Sequence, residues 1–163
     1  MAFILFMCFL IIQRLSELYV ASRTEKWLLQ HGAVEYGKEH YPYMVAMHTL
    51  FIVSLIAEYI WSDSTATNYF LIVCFFILIV IKVLVIATLG NYWNTKIYKV
   101  PGSRPVATGI YKYVKHPNYI IVVLEIAIIP LSFHLYYTAI IFTILNALML
   151  TVRIRKENEV LAM

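Results

Sequence analysis

Cysteine is nearly absent from this chain, with two residues, Cys8 and Cys74, among 163. Both fall in long apolar runs and neither belongs to a C-x-x-C, so no disulfide framework and no thiolate zinc site is supported; both read as core residues. Histidine offers no metal pattern either. His31, His40, His48 and His116 are scattered without an i,i+4 pair, and a helical metal motif needs that spacing. Charge is scarce too: 13% Asp, Glu, Lys and Arg against 62% hydrophobic residues. With a mean hydropathy of +0.77, this balance excludes an ordinary soluble globular domain and implies an integral membrane protein. No internal repeat or low-complexity tract divides it, and residues 1–163 read as a single multi-pass domain.

A spanning helix needs about 20 mostly apolar residues. Such segments run over about 2–20, 43–61 and 69–89. The first lacks the basic start of a signal peptide and carries Arg14 and Glu17 in its second half, so it reads as a retained helix. From Asn118 to Thr151 the only formal charge is Glu125. As one helix that stretch would be about 50 Å long against a hydrocarbon core of about 30 Å. It is expected to fold as a hairpin of two spans, about 118–133 and 135–152, bent at Pro130 and Ser132–His134. The fold class is therefore all-α integral membrane, with five transmembrane helices.

Lys and Arg are missing from the 62–68 connection and from the Pro130 bend. They collect instead at 23–38, at 96–115 and at Arg153, Arg155 and Lys156. By the positive-inside rule the N-terminus is outside the cell membrane, and both long loops and the C-terminus are cytoplasmic. The net charge of +4 follows from this topology and from anionic headgroups, without nucleic acid. Charges within spans need partners. Arg14 and Glu17 suit a pair within their own helix, and Lys82 suits a bridge to either Glu58 or Glu125.

Polar residues concentrate in three pieces on the same side: 23–42, 90–119 and 153–161. Pro101, Gly102, Pro105 and Gly109 make the second a loop, whose irregular backbone must meet water or line a protein cavity. Its bland reading is a connector anchored by basic and aromatic residues. His116 precedes Pro117 at the entrance to the fourth span, which holds it at the membrane rim. If the fifth helix continues past Thr151, Arg153 and Glu157 share a face; alone, such a pair is usually a solvated helix end.

Taken together, "ATGIYKYVKHPNY", an apolar hairpin and "RIRKENEVL" resemble the isoprenylcysteine carboxyl methyltransferase family, whose motif runs Gly-x-Tyr-x-x-x-(Arg/Lys)-His-Pro-x-Tyr and closes with Arg and two acids. The resemblance covers roughly residues 90–161, and the N-terminal third is similar to the small bacterial branch, some members of which are associated with methylating alkylpyrones. It implies S-adenosylmethionine as cofactor in a cytoplasmic pocket, and a lipophilic substrate arriving from the bilayer. The chain has no G-x-G-x-x-G following a strand, so a soluble Rossmann-type methyltransferase is excluded.

Carried over by position, the resemblance assigns Lys96, Ser103, Arg104, Pro105, Val106, Tyr111, His116, Pro117, Asn118, Tyr119 and Glu157 to the cofactor. Arg153 would face the acceptor oxygen, with Glu157 as its catalytic companion. Apart from the resemblance, His40, Tyr41 and His48 lie near the cytoplasmic start of the second span and are expected to shape the choice of substrate. The second family acid is replaced by Asn158, with Glu159 next. The chain ends at Met163, without the Tyr-rich tail of the larger enzymes, which weakens a prenylcysteine substrate against the hydroxyl of an alkylpyrone or phenolic lipid. From another class, a membrane scaffold or small transporter competes, with Lys82, Glu58 and Glu125 as a polar pathway. No inverted repeat favours transport. The oligomeric state is open.

Overall fold

The structure, a computed structural model, describes residues 1–62, 66–103 and 105–162. Five helices account for most of it: α1 (Ala2–Gln30), α2 (Tyr41–Trp61), α3 (Tyr69–Leu89), α4 (Pro117–Leu131) and α5 (Tyr136–Ala162). Four of them, all but α4, are long and apolar enough to cross a membrane. At 15 residues, α4 reaches about 22 Å. This is a multi-pass membrane protein, and its outer surface says the same: Leu5, Ile12, Val53, Phe70, Ile77, Val80, Ile144 and Leu148 are exposed. A water-soluble surface would not carry so much continuous apolar area.

α1 continues ten residues beyond the expected end of the first span, because "ASRTEKWLLQ" contains no Gly or Pro to stop it. It ends at Gly32, whose φ of +75° permits a Schellman cap: Gly32 N–H donates to Leu29 C=O at 3.1 Å and Ala33 N–H to Leu28 C=O at 3.0 Å. The chain then enters a short strand, β1 (Val34–Tyr36), which pairs antiparallel with β2 (Ile97–Lys99), Glu35 opposite Tyr98. The sequence reading has no strands; three-residue strands are too short to show alternation. α5 likewise runs on to Ala162, so Arg153 and Glu157 do share a helix.

The bend between α4 and α5 lies at 132–135, one turn after Pro130, with His134 at φ +59°. Glu58 stands at this end. Its carboxylate accepts from Tyr137 N–H at 3.0 Å and Thr138 N–H at 2.7 Å, capping α5 across helices. The bridge from Lys82 therefore goes to Glu125, not to Glu58. Phe3, Phe6, Phe75 and Phe133 interlock here, with Phe3 stacked on Tyr59 at 3.7 Å, and Asn68 N–H donates to Ser132 C=O at 2.8 Å. The β-pair, the 90–116 loop and the end of α5 gather at the opposite end. Cys8 is exposed and Cys74 half-buried, so Cys8 is not a core residue: it lies on the outward face of α1, beside buried Met7.

A cavity with an arginine at its mouth

A cavity of about 1000 Å³ opens where the loop end of the bundle meets the 90–116 segment. It is lined by Ser103, Pro105, Val106, Tyr111, His116, Asn118 and Tyr119 from the loop and the start of α4, by Tyr41 and His48 from α2, by Lys96, and by Arg153 and Glu157 from α5. Most of the residues expected from the sequence are thus brought together. Pro117 is buried but points away from the cavity, as the first residue of α4; its fixed φ starts the helix and so aims His116 and Tyr119. His40 does not line this cavity either; it lines a small cleft together with Gly37, Tyr41, Lys96 and Arg153. Arg104 lies outside the described residues.

Arg153 is buried, 7% exposed. Its Nη2 donates to Thr95 C=O at 2.8 Å, its Nε reaches the Tyr119 hydroxyl at 3.5 Å, and the guanidinium rests against the Met44 thioether. Among the described residues, no carboxylate lies within ion-pair distance of it. The Tyr119 hydroxyl donates to Glu157, so one phenol joins the arginine to the acid. His116 stacks on Tyr119 with ring centroids 5.4 Å apart. One ring nitrogen of His116 meets Asn158 Oδ1 at 3.1 Å and the other faces Glu157 at 3.7 Å.

Asn158, which stands where the family has its second acid, thus holds the histidine. Glu159 does not take that place, being exposed and paired with Lys156 at 3.2 Å. Tyr111 stays a neutral donor: burial, and after it the charge of Glu157, push its hydroxyl above the ordinary tyrosine range. Lys96 is held by Glu25 at 2.6 Å, and chiefly through that hydrogen bond its ammonium is kept above the usual lysine value. Tyr98 donates to the same carboxylate at 2.5 Å. The 90–116 loop is thereby tied to the extension of α1, and the end of β2 is tied to α5, where Lys99 Nζ donates to Val160 C=O at 2.9 Å.

Deeper in the bundle, Lys82 lies 2.6 Å from Glu125 and 2.9 Å from Glu17, while Arg14 reaches Glu17 at 2.9 Å and Glu125 at 3.0 Å. Two cations and two carboxylates close on one another at the cavity floor, so Glu17, the partner of Arg14 in its own helix, is shared with Lys82 of α3, and Glu125 of α4 is shared by both cations. Sequence reasoning missed several lining residues: Met44, Trp93, Asn94, Thr95, Tyr98 and Asn146. For Asn146 a signal existed, since it is a lone amide within an apolar run; for the others position alone decides.

The site so defined is a buried cation and an acid, bridged by a tyrosine, on the wall of a cavity in a helical membrane bundle. The chain belongs to the isoprenylcysteine carboxyl methyltransferase (ICMT) family, whose model matches residues 70–163, and this supports a methyltransferase kind of activity. Two bacterial relatives are similar over almost their whole length. The Bacillus subtilis protein with the printed name "Uncharacterized protein YpbQ" is 44% identical, with 98% of this chain and 96% of that one covered. A Haemophilus influenzae protein is 31% identical, with 98% and 94% covered. No solved structure matches.

Proposed function

We propose that the protein is an S-adenosylmethionine-dependent O-methyltransferase that works at the cytoplasmic face of the membrane on a lipophilic acceptor, either the hydroxyl of an alkylpyrone or phenolic lipid or a prenylcysteine-type carboxylate. The observation that carries the reading is Arg153. A buried guanidinium without a carboxylate partner is costly, and an anionic acceptor oxygen removes that cost.

The residues present fit the cofactor. The cavity, at about 1000 Å³, stands at the upper end of the range of about 300–1000 Å³ for small-molecule sites, and so has room for a nucleoside and a lipid side by side. Glu157 supplies the charge for an ammonium group, and the faces of Tyr111 and Tyr119 suit an adenine ring or a cationic sulfur. Ser103, Pro105 and Val106 offer loop backbone. When bound, S-adenosylmethionine supplies an electrophilic methyl group.

The chain's part is to position and to exclude water. Tyr119, donating to Glu157, keeps that carboxylate turned into the cavity. Asn158 fixes the His116 ring and so the stack beneath. Arg153 aligns the acceptor oxyanion from the other side of Tyr119; a carboxylate or acidic enol is already ionised near neutral pH, so no strong base is required. Leu15 of α1 and Val53 of α2 line the cavity and are exposed on the outer surface, which supports entry of the lipid between these helices.

The scaffold or transporter reading requires the intramembrane charges to line a pathway, and their mutual pairing argues against it. Calorimetric titration with S-adenosylmethionine tests the choice: no binding at high micromolar concentration favours the scaffold. Membranes given labelled cofactor and a panel of both lipid types then identify the acceptor.

A further inference from the structure

Seven residues before Arg153 on α5, close to two turns and so on the same face, stands Asn146. It is 2% exposed, lies on the cavity wall, and its amide oxygen has no hydrogen-bond partner among the described residues. An unpaired amide at that depth is unfavourable in a membrane interior; leucine would serve packing better.

His48 faces the same space from α2. Its Nδ1 lies 2.9 Å from Met44 C=O. Facing a carbonyl, Nδ1 carries the proton and Nε2 is left as a free acceptor. The antiparallel register of α2 and α5, with Met44 under Arg153 and Ser54 against Thr138 at 2.8 Å, puts His48 level with Asn146. Arg14, Glu17 and Lys82 also reach the cavity here, but with Glu125 they neutralise one another. Gln13 Oε1 is likewise unpaired but its residue does not line the cavity, so the acceptors left over on the cavity wall at this level are Asn146 Oδ1 and His48 Nε2.

We infer that Asn146 and His48 form a second polar subsite inside the membrane, which takes an uncharged hydroxyl group, able to donate to either acceptor, carried about 10 Å along the lipid from the methylated oxygen, the rise between Asn146 and Arg153. As a statement about the substrate, this rests on the methyl-transfer reading of the cavity mouth and deepens it. The acceptor is a lipid bearing a second polar group near mid-chain, and a plain alkyl or prenyl chain leaves both groups unpaired.

The test compares octadecanoic acid with 10-hydroxyoctadecanoic acid, whose hydroxyl stands about that distance from its carboxylate, the rise of seven helical residues. Each is titrated into the full chain in lipid nanodiscs without cofactor, and read by tryptophan fluorescence, since Trp93 lies on the cavity wall. We expect the hydroxy acid to bind about tenfold tighter, the worth of one buried hydrogen bond. Asn146→Leu and His48→Phe should each bring the ratio of the two affinities close to one. Equal affinities for the unsubstituted protein overturn the subsite, and need no variant to fold; so does a preference that survives both substitutions. Adding labelled cofactor afterwards separates the two ideas. A preference without any binding of the labelled cofactor overturns the enzyme reading and supports the subsite, whereas cofactor binding and methylation of both acids at equal affinity do the reverse.

Discussion

Replacing Arg153 by methionine separates a functional arginine from a structural one. Methionine roughly matches the stem in volume and removes the charge. The change forfeits one good hydrogen bond, to Thr95 C=O at 2.8 Å, and one long contact, to Tyr119 at 3.5 Å. Hydrogen bonds from a charged donor are worth about 1.5–3 kcal/mol each. Against this, a cation 7% exposed is relieved of a desolvation penalty of several kcal/mol. These terms nearly cancel, so the stability of Arg153→Met should stay within about 2 kcal/mol of the parent. Loss of a buried charge partner for the acceptor costs about 2–5 kcal/mol, which lowers kcat/KM roughly thirty- to five-thousand-fold. The assay pairs denaturant unfolding in micelles with methyl transfer and calorimetric cofactor titration on one preparation. Severe destabilisation, retained turnover, or a loss of cofactor affinity as large as the loss of rate would refute the reasoning.

Glu157→Gln keeps the shape and the Tyr119 contact but removes the charge, and should weaken S-adenosylmethionine binding by roughly five- to thirtyfold, the difference between a charged and a neutral hydrogen bond; His116→Ala should weaken it as well, and calorimetry showing both affinities unchanged sinks the cofactor assignment. Lys82→Met leaves Arg14 facing two buried carboxylates and should destabilise by about 3–5 kcal/mol, with Glu125→Gln on the same chain recovering part of it; denaturant unfolding of the single and double variants measures the recovery. Gly109 combines φ +54° with a crowded Cβ position, only 3.1 Å from Thr88 Cγ2, so Gly109→Ala should cost about 1–2 kcal/mol and speed proteolysis of the 90–116 loop. Glu58→Leu uncaps α5, and about 1–2 kcal/mol should be lost in thermal unfolding.

The apolar runs made the helices legible because in a membrane each backbone group must be satisfied within its own segment. Helix ends were less so: α1 and α5 continue beyond their apolar runs through "ASRTEKWLLQ" and "RIRKENEVL", where hydropathy falls but helix propensity does not. The three-residue strands left no pattern, since their pairing joins residues 34–36 to 97–99. Most cavity residues were reached through motif order. Pro117 was placed in the wall because its neighbours are there, yet it is buried without lining the cavity, and His40 lines the small cleft it shares with Arg153.

By itself the sequence determined that this is a multi-pass membrane protein with its polar chemistry at one end, and that an arginine and an acid follow an apolar hairpin in the order its family uses. Hydrophobicity and spacing are local quantities, and one dimension suffices to read them. Only the tertiary structure decided that Glu125 and not Glu58 holds Lys82, that Asn158 and not Glu159 holds His116, and that, among the described residues, buried Arg153 has no carboxylate within ion-pair distance and the Asn146 amide oxygen no partner. Those are choices among partners far apart in the chain, and they are made by how five helices pack.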